Sequence, residues 1–540
     1  MTRQRRRRIL RLAAVSRLKH WGWGPEERAP AAQDVQAGAA LITQRTGVAV
    51  SAVEAPLPLE RARIGAPRIA APAPLEGLLS SDLHERARHA LGKSYCDVVR
   101  GMRGEFDDAP DLVATPADER DVERLLEWCS AERIAVVPYG GGTSVVGGVT
   151  PRVGAGYAGV VSLDTARLSG VRELDPVSRA ARIAGGTTGP ALERELGEHG
   201  MTLRFFPQSF EFSTLGGWVA TRAGGHFATL RTHIDDLVES VRAIGPAGLW
   251  ESRRLPASGA GPSPDRLLLG SEGTLGVITE AWVRVRERPT FRSSRAVAFA
   301  DFGRGVQCVR ELAQSGLEPA NCRLLDAGEA ALTGAGDGSR AKLIVGFESA
   351  DHEPDAEMAR ALVICAEHGG EIEAERSGGE GAVETWRGAF LQAPYLRDML
   401  VMAGVLAETF ETAVTWERFD ALHRGVREAV QSALLDGGVT GGRVNCRFTH
   451  VYPDGPAPYF TVVAPAVRGE EVEQWQHVKR AASDAIILAG GTITHHHAVG
   501  RDHVPWYTRQ RPELFARLLA AGRAELDPAQ IMNPGVLGLG

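Results

Sequence analysis

The feature that most restricts this chain is a series of four segments rich in glycine and hydroxyl residues. The first is Pro138-Tyr-Gly-Gly-Gly-Thr-Ser-Val145, which follows the short apolar run Ile134–Pro138. Three glycines after a strand let backbone N–H groups converge on an anion, and Thr143 and Ser144 add hydroxyl donors. A diphosphate suits such a loop. It is not a dinucleotide fingerprint opening a helix, because Val145 stands where glycine would be, and it lacks the Lys-Ser/Thr of a nucleotide-triphosphate loop. The other segments are Pro207–Trp218, Ala220–Gly225 and Gly270-Ser-Glu-Gly-Thr-Leu-Gly-Val-Ile278. Small residues there allow a backbone to approach a large flat ligand closely. Tight packing explains any one segment alone; four in this order point to a shared ligand.

Around these segments the pattern is mixed. Val122, Leu125, Leu126 and Cys129 share one face of a helix predicted over 118–131. Strands are predicted at Gly159–Leu163 and Ala180–Ala184, and a helix opens at Gly189-Pro190 and stops at Gly200. Alanine–proline pairs between 51 and 78 predict an extended connector, with firm structure expected after Pro110. Beyond residue 288 the texture changes to strand, helix, strand, helix, as expected of a separate lobe. No regular strand–helix alternation runs through the chain, so the fold class is α+β. The expected divisions are a helical or extended N-terminal region over 1–105, then 106–287, 288–485 and 486–540, the last returning to the site.

With 540 residues, 61 basic and 67 acidic, the chain is mildly acidic, which gives no reason to expect nucleic acid as a partner. Only Lys19, Lys93, Lys342 and Lys479 are lysines, which reads as genome composition. The six cysteines show neither C-x-x-C nor zinc spacing, so no metal is expected and a cytoplasmic, reducing location is. Arg3 and Arg5 to Arg8, followed by Ile9, Leu10, Leu12 and Val15, read either as a frayed basic tail or as a segment resting on an anionic membrane surface.

Taken together, Glu211–Arg222, Gly270–Glu280, Arg323-Leu-Leu-Asp326, Thr494-His-His-His-Ala-Val-Gly500 and Asn533-Pro-Gly535 resemble the vanillyl-alcohol-oxidase-type flavoproteins. Within them they resemble the alkylglycerone-phosphate synthase branch. The resemblance implies a two-subdomain FAD-binding domain with an α+β cap over the substrate. It implies that Pro138, Gly140, Gly141, Gly142, Thr143 and Ser144 hold the FAD diphosphate. It places Pro207, Ser209, Thr214, Gly217, Thr221, Ala223, Glu272, Thr274 and Ile278 around the adenosine and flavin. The Pro138–Ser144 loop offers no His or Cys for a covalent link, so the FAD is expected to be non-covalent.

On the cap side, the resemblance makes Tyr459 the proton-transfer residue, with His495, His496 and His497 beside it. Were the three histidines on a strand, at most two would share a site. Arg397 and Arg323 match arginines serving a phosphorylated or carboxylated, partly lipophilic substrate, and Arg447 is a weaker third. One departure stands out: Phe205 occupies the place of a family histidine, and phenylalanine moves no proton. The implied reaction exchanges the acyl group of an acyl-dihydroxyacetone phosphate for a long-chain alcohol without net redox change. The alternative is an FAD-linked dehydrogenase or oxidase of a 2-hydroxy acid or alcohol. A homodimer is the expected assembly.

Overall fold

The computed structural model describes residues 17–373 and 382–539. The basic segment from Arg3 to Val15 lies outside the described residues.

Helix Glu119–Glu132 forms where the apolar spacing predicts it. The Asp118 side chain accepts from the Asp121 N–H at its start, and Val122, Leu125, Leu126 and Cys129 are buried. They pack on a four-stranded sheet in the order Leu79–Ser80, Leu112–Ala114, Gly159–Asp164, Ile134–Tyr139, with the last three strands parallel. The strand Ile134–Tyr139 delivers the first glycine loop at its carboxyl end. A second, antiparallel sheet runs in the order Val171–Asp175, Ala180–Ala184, Val277–Arg284, Val238–Gly245, Gly248–Glu251. These two sheets make the two halves of the cofactor domain.

The cap is a seven-stranded antiparallel sheet in the order Glu371–Ile372, Phe291–Phe299, Ala341–Ser349, Asn321–Leu325, Arg443–Val451, Pro456–Pro465, Val405–Glu411. Helices Phe302–Gln314 and Asp355–Glu367 bury Val309, Leu312, Ala361 and Ile364 in its core. The predominance of antiparallel pairing agrees with the α+β reading.

Order begins well before Pro110, contrary to the sequence expectation. Helices Ala32–Thr46, Leu83–Arg88 and Tyr95–Met102 precede it. Helix Ala32–Thr46 buries only Val35, Ala39, Ile42 and Thr46, a narrow face of small side chains, so its periodicity is faint. That face and Trp21, Tyr95 and Val98 share one core with the cap. Residues 51–78 carry the short turns Leu59–Arg61 and Ala73–Leu75 and a single bridge from Arg63 to Glu105, and are otherwise extended as their prolines dictate. At the other end, Val136 N–H donates to the Ile531 carbonyl and Asn533 N–H to the Val136 carbonyl, each at 2.8 Å. The chain thereby returns from the cap to the edge of the first sheet.

All four lysines are buried. Lys19 pairs with Asp398 at 2.6 Å, Lys342 with Glu373, and Lys479 with Glu408 at 3.6 Å. A compositional bias bears on how few lysines there are, not on where they stand.

Candidate active site

The four glycine segments touch one another through positions that admit no side chain. A Cβ at Gly141 would lie 2.0 Å from the Phe212 carbonyl oxygen, and one at Gly216 2.9 Å from that of Gly185. One at Gly273 would meet Pro138 at 2.8 Å, and one at Gly270 would meet Arg222 at 2.7 Å. Gly142, at φ +65°, has the Tyr139 hydroxyl 1.9 Å from where its Cβ would be. A side chain at Gly141 or Gly273 would push neighbouring segments apart.

Several predicted ligand residues also build this framework. Thr214 caps helix Leu215–Thr221 by accepting from the Gly217 N–H at 3.3 Å. Thr221 donates to the Gly217 carbonyl at 2.8 Å, and Thr274 to that of Ser271 at 2.7 Å. Pro207 and Ser209 shape a turn whose carbonyls accept from Phe210 and Phe212, while Ala223 and Ile278 are buried. Ser144 Oγ accepts from the Gly148 N–H at 2.9 Å. Gly140, Gly141, Thr143 and Ser144 remain partly accessible, and a small recess opens at Tyr139, Gly141 and Thr143 with Lys19, Arg88 and Lys93 around it. Accessible loop amides and hydroxyls, with basic side chains beside them, fit a diphosphate such as that of FAD.

Glu272, predicted at the cofactor, also joins two parts of the chain. Its carboxylate accepts from the Val499 and Gly500 N–H groups at 2.9 and 2.8 Å, and its carbonyl from Asn533 Nδ2 at 2.7 Å. It ties the segment after the histidines to the cofactor domain. Burial pushes its pKa up to about 7 against the pull of those two N–H donors.

On the cap, strand register brings the chemical residues together. Tyr459 pairs with Glu411 on one side and Arg447 on the other, and Leu325, two residues from Arg323, pairs with Arg447. Residues two apart share a face, so Arg323, Arg447, Tyr459 and Glu411 lie on one side of the sheet. The Arg447 guanidinium stands 3.9 Å from the centre of the Tyr459 ring and is held by Glu329. Arg447, ranked third by sequence, is thus the arginine in contact with Tyr459. Arg323 is buried and donates to the His226 carbonyl at 2.7 Å; burial, with the neighbouring Arg447 charge, lowers its pKa to about 9. Arg397, on helix Ala382–Met402, donates to the Lys93 carbonyl at 2.8 Å and lies near enough to His497 for its charge to act there.

The triple histidine is not on a strand, and all three rings gather at one place. Residues 494–497 wrap the buried Glu411 carboxylate, which accepts from the N–H groups of His495, His496 and His497 and from Thr494 Oγ1. A carboxylate inside a turn of consecutive N–H groups removes the strand alternation on which the two-of-three limit rested. His496 stacks on Tyr459 at 6.2 Å between ring centres, and His497 meets it edge-on at 5.8 Å. From His496 a chain of contacts runs outward. His495 Nδ1 lies 3.0 Å from His496 Nδ1, the Tyr452 hydroxyl 2.7 Å from His495 Nε2, and Thr232 Oγ1 2.9 Å from the Tyr452 hydroxyl. The chain links His496, whose ring stacks on Tyr459, to Tyr452 and Thr232. Glu411, Tyr452 and His450 were missed from sequence; Glu411 lies 84 residues from His495 and carries no local signature.

Phe205 is fully buried, 5.2 Å from Trp218 between ring centres. Gly225 stands between it and His450: a Cβ there would be 2.7 Å from the Phe205 ring, and its carbonyl lies 3.0 Å from His450 Nε2. The side chain serves the core of the second sheet.

Burial keeps the histidines neutral. It lowers His496 and His497 to about 3, His20 and His423 to about 4, and His450, His495 and His503 well below the usual value. A histidine depressed in the folded state binds its proton only on unfolding, so its contribution is complete above pH 6.5 and is lost as pH falls below it. Glu272, raised to about 7, Asp326 and Asp502, raised to about 6, and Asp97, Asp398 and Asp527, also raised by burial, act in the opposite sense but are fewer than the lowered histidines. Stability is expected to fall steeply as pH drops from 6.5 towards 4, each such histidine contributing up to about 1.4 kcal/mol per pH unit. Denaturant midpoints that stay flat from pH 8 to 4.5 would contradict this.

Comparison with known proteins agrees with this geometry. Residues 110–252 match the family described as FAD binding domain, and residues 288–537 match FAD linked oxidases, C-terminal domain. The alkyldihydroxyacetonephosphate synthase of Caenorhabditis elegans is 32% identical over 84% of this chain and 80% of its own length. That of Dictyostelium discoideum is 30% identical over 84% of this chain and 78% of its own. A solved alkyldihydroxyacetonephosphate synthase structure superimposes with a TM-score of 0.80 at 25% identity, covering 96% of this chain and 98% of that one. By this similarity, the chain belongs to the alkyldihydroxyacetonephosphate synthase family of FAD-linked enzymes.

Proposed function

We propose that the protein binds FAD non-covalently across the glycine segments and exchanges the acyl group of an acyl-dihydroxyacetone phosphate for a long-chain alcohol. The observation that carries this reading is the placement of Tyr459 beneath Arg447 and beside His496 and His497. Bound FAD would supply redox-neutral chemistry at the substrate carbon. The carbon–oxygen bond to the departing carboxylate breaks, and one to the alcohol oxygen forms as the alcohol loses its proton. A phenol beside a guanidinium and neutral imidazoles is suited to hold and return a proton during that exchange. Arg323, Arg447 and Arg397 supply cationic groups for the substrate phosphate.

Two measurements test this. Acid precipitation is expected to release yellow flavin into the supernatant; flavin retained in the pellet would contradict non-covalent binding. Under argon, acyl-dihydroxyacetone phosphate is expected to perturb the flavin spectrum, with recovery on adding a fatty alcohol. Stoichiometric bleaching by a 2-hydroxy acid, reversed only by oxygen or a dye, would establish the dehydrogenase instead. A lipophilic substrate also fits a homodimer held peripherally at a cytoplasmic membrane surface through the arginines at positions 3–8, which vesicle flotation and light scattering address.

A further inference from the structure

Lys93 precedes both matched segments, yet it is strapped to the first glycine loop. Its N–H donates to the Ser144 carbonyl at 2.6 Å. Gly92 before it makes the approach possible, since a Cβ there would lie 2.3 Å from the same oxygen. The Lys93 carbonyl in turn accepts from Arg397, so this short stretch joins the glycine loop to the cap.

The Lys93 side chain is 9% exposed and lines the recess with Lys19, Arg88, Tyr139, Gly141 and Thr143. The other two cations there are neutralised: Lys19 by Asp398 at 2.6 Å, and Arg88 by Glu85 and Asp164, each at 2.9 Å. Lys93 has no carboxylate within ion-pair distance among the described residues. Asp97 is engaged in the capping box with Ser94, and Asp398 is taken by Lys19 and the Trp23 N–H. An ammonium buried without a counter-charge is expensive. Burial accordingly lowers its pKa to about 8, the more distant Asp398 and Asp97 only partly opposing this. Such a cation, facing loop amides and the Thr143 hydroxyl, is a site prepared for an anion that arrives with the ligand.

We propose that the Lys93 ammonium is the counter-charge for the FAD diphosphate, supplied by the N-terminal region rather than by the cofactor domain. This rests on the reading that FAD occupies the glycine loop. Charge-assisted hydrogen bonds to a phosphate oxygen would then complete the anion site that the glycine amides begin.

The test is flavin binding by the full chain, read from quenching of flavin fluorescence. Lys93→Met keeps the length of the side chain and removes its charge. FAD is expected to bind at least tenfold more weakly to this variant, while riboflavin, which has no phosphate, binds as it does to the parent. The flavin-free variant is expected to melt at or above the parent's temperature, because an uncompensated buried charge has gone. Lys93→Gln provides the same comparison if the methionine variant does not fold. FAD affinity within twofold of the parent would overturn the proposal, as would an equal loss for riboflavin or a lower melting temperature in the flavin-free state. A parent protein that binds no FAD would instead overturn the functional reading, and this inference with it.

Discussion

Tyr459→Phe is expected to reduce turnover about 10²-fold or more while the protein keeps its full complement of FAD. Only one hydroxyl is removed, and the ring that packs between Arg447, His496 and His497 remains. The loss should therefore appear in kcat and not in flavin content or melting temperature. The neighbours explain why this tyrosine is suited to the work. The Arg447 guanidinium lies over its ring at 3.9 Å, and the two imidazoles packed on it are held neutral by burial. Arg447→Met should reproduce much of the defect without touching the hydroxyl, by removing the cation that lies over the ring. Near-full turnover in a flavin-loaded Tyr459→Phe enzyme would take the residue out of the mechanism.

The largest loss of structure is expected from Glu411→Ala. One buried carboxylate accepts from three consecutive N–H groups and the Thr494 hydroxyl. Removing it strips four donors of this acceptor, and only the His497 N–H keeps another, Thr494 Oγ1 at 3.1 Å, so the cost is on the order of 3–5 kcal/mol. The histidine turn should open, lowering the melting temperature by several degrees and abolishing turnover together. Glu411→Gln retains one acceptor oxygen and should fall between the two. A Glu411→Ala protein with unchanged melting and activity would show that the carboxylate does not hold the turn.

These two residues also show how far the sequence could be read. Tyr459 was found because it lies in a local motif, and the glycine segments because close backbone approach leaves a composition that is visible in one dimension. The helix around Leu125 and the strand leading to Gly140 were legible for the same reason: their burial is periodic along the chain. Glu411 had no such mark. Its role arises from strand register, which sets it opposite Tyr459, and from a turn of the chain 84 residues later. Arg447 was ranked behind Arg397 because motif context was the only guide, whereas pairing in the cap sheet is what puts it on the Tyr459 ring. The histidines were misjudged through an assumed extended conformation, which a carboxylate at the centre of a turn replaces. Helix Ala32–Thr46 went unread because alanines give a weak hydrophobic signal even where they are buried.

The interior placement of Lys19, Lys93, Lys342 and Lys479 gives the native surface an unusual chemistry. Its cationic face towards solvent is guanidinium, a weak nucleophile that stays protonated across the working range of pH. Succinimidyl esters and amine cross-linkers will find no readily reached side-chain amine on the folded molecule, and lysine-directed proteases no ready cleavage point. Loss of structure would uncover all four at once. Acylation at these positions would therefore register unfolding, while labels intended to map contacts between copies would need to be directed at carboxylates or arginines.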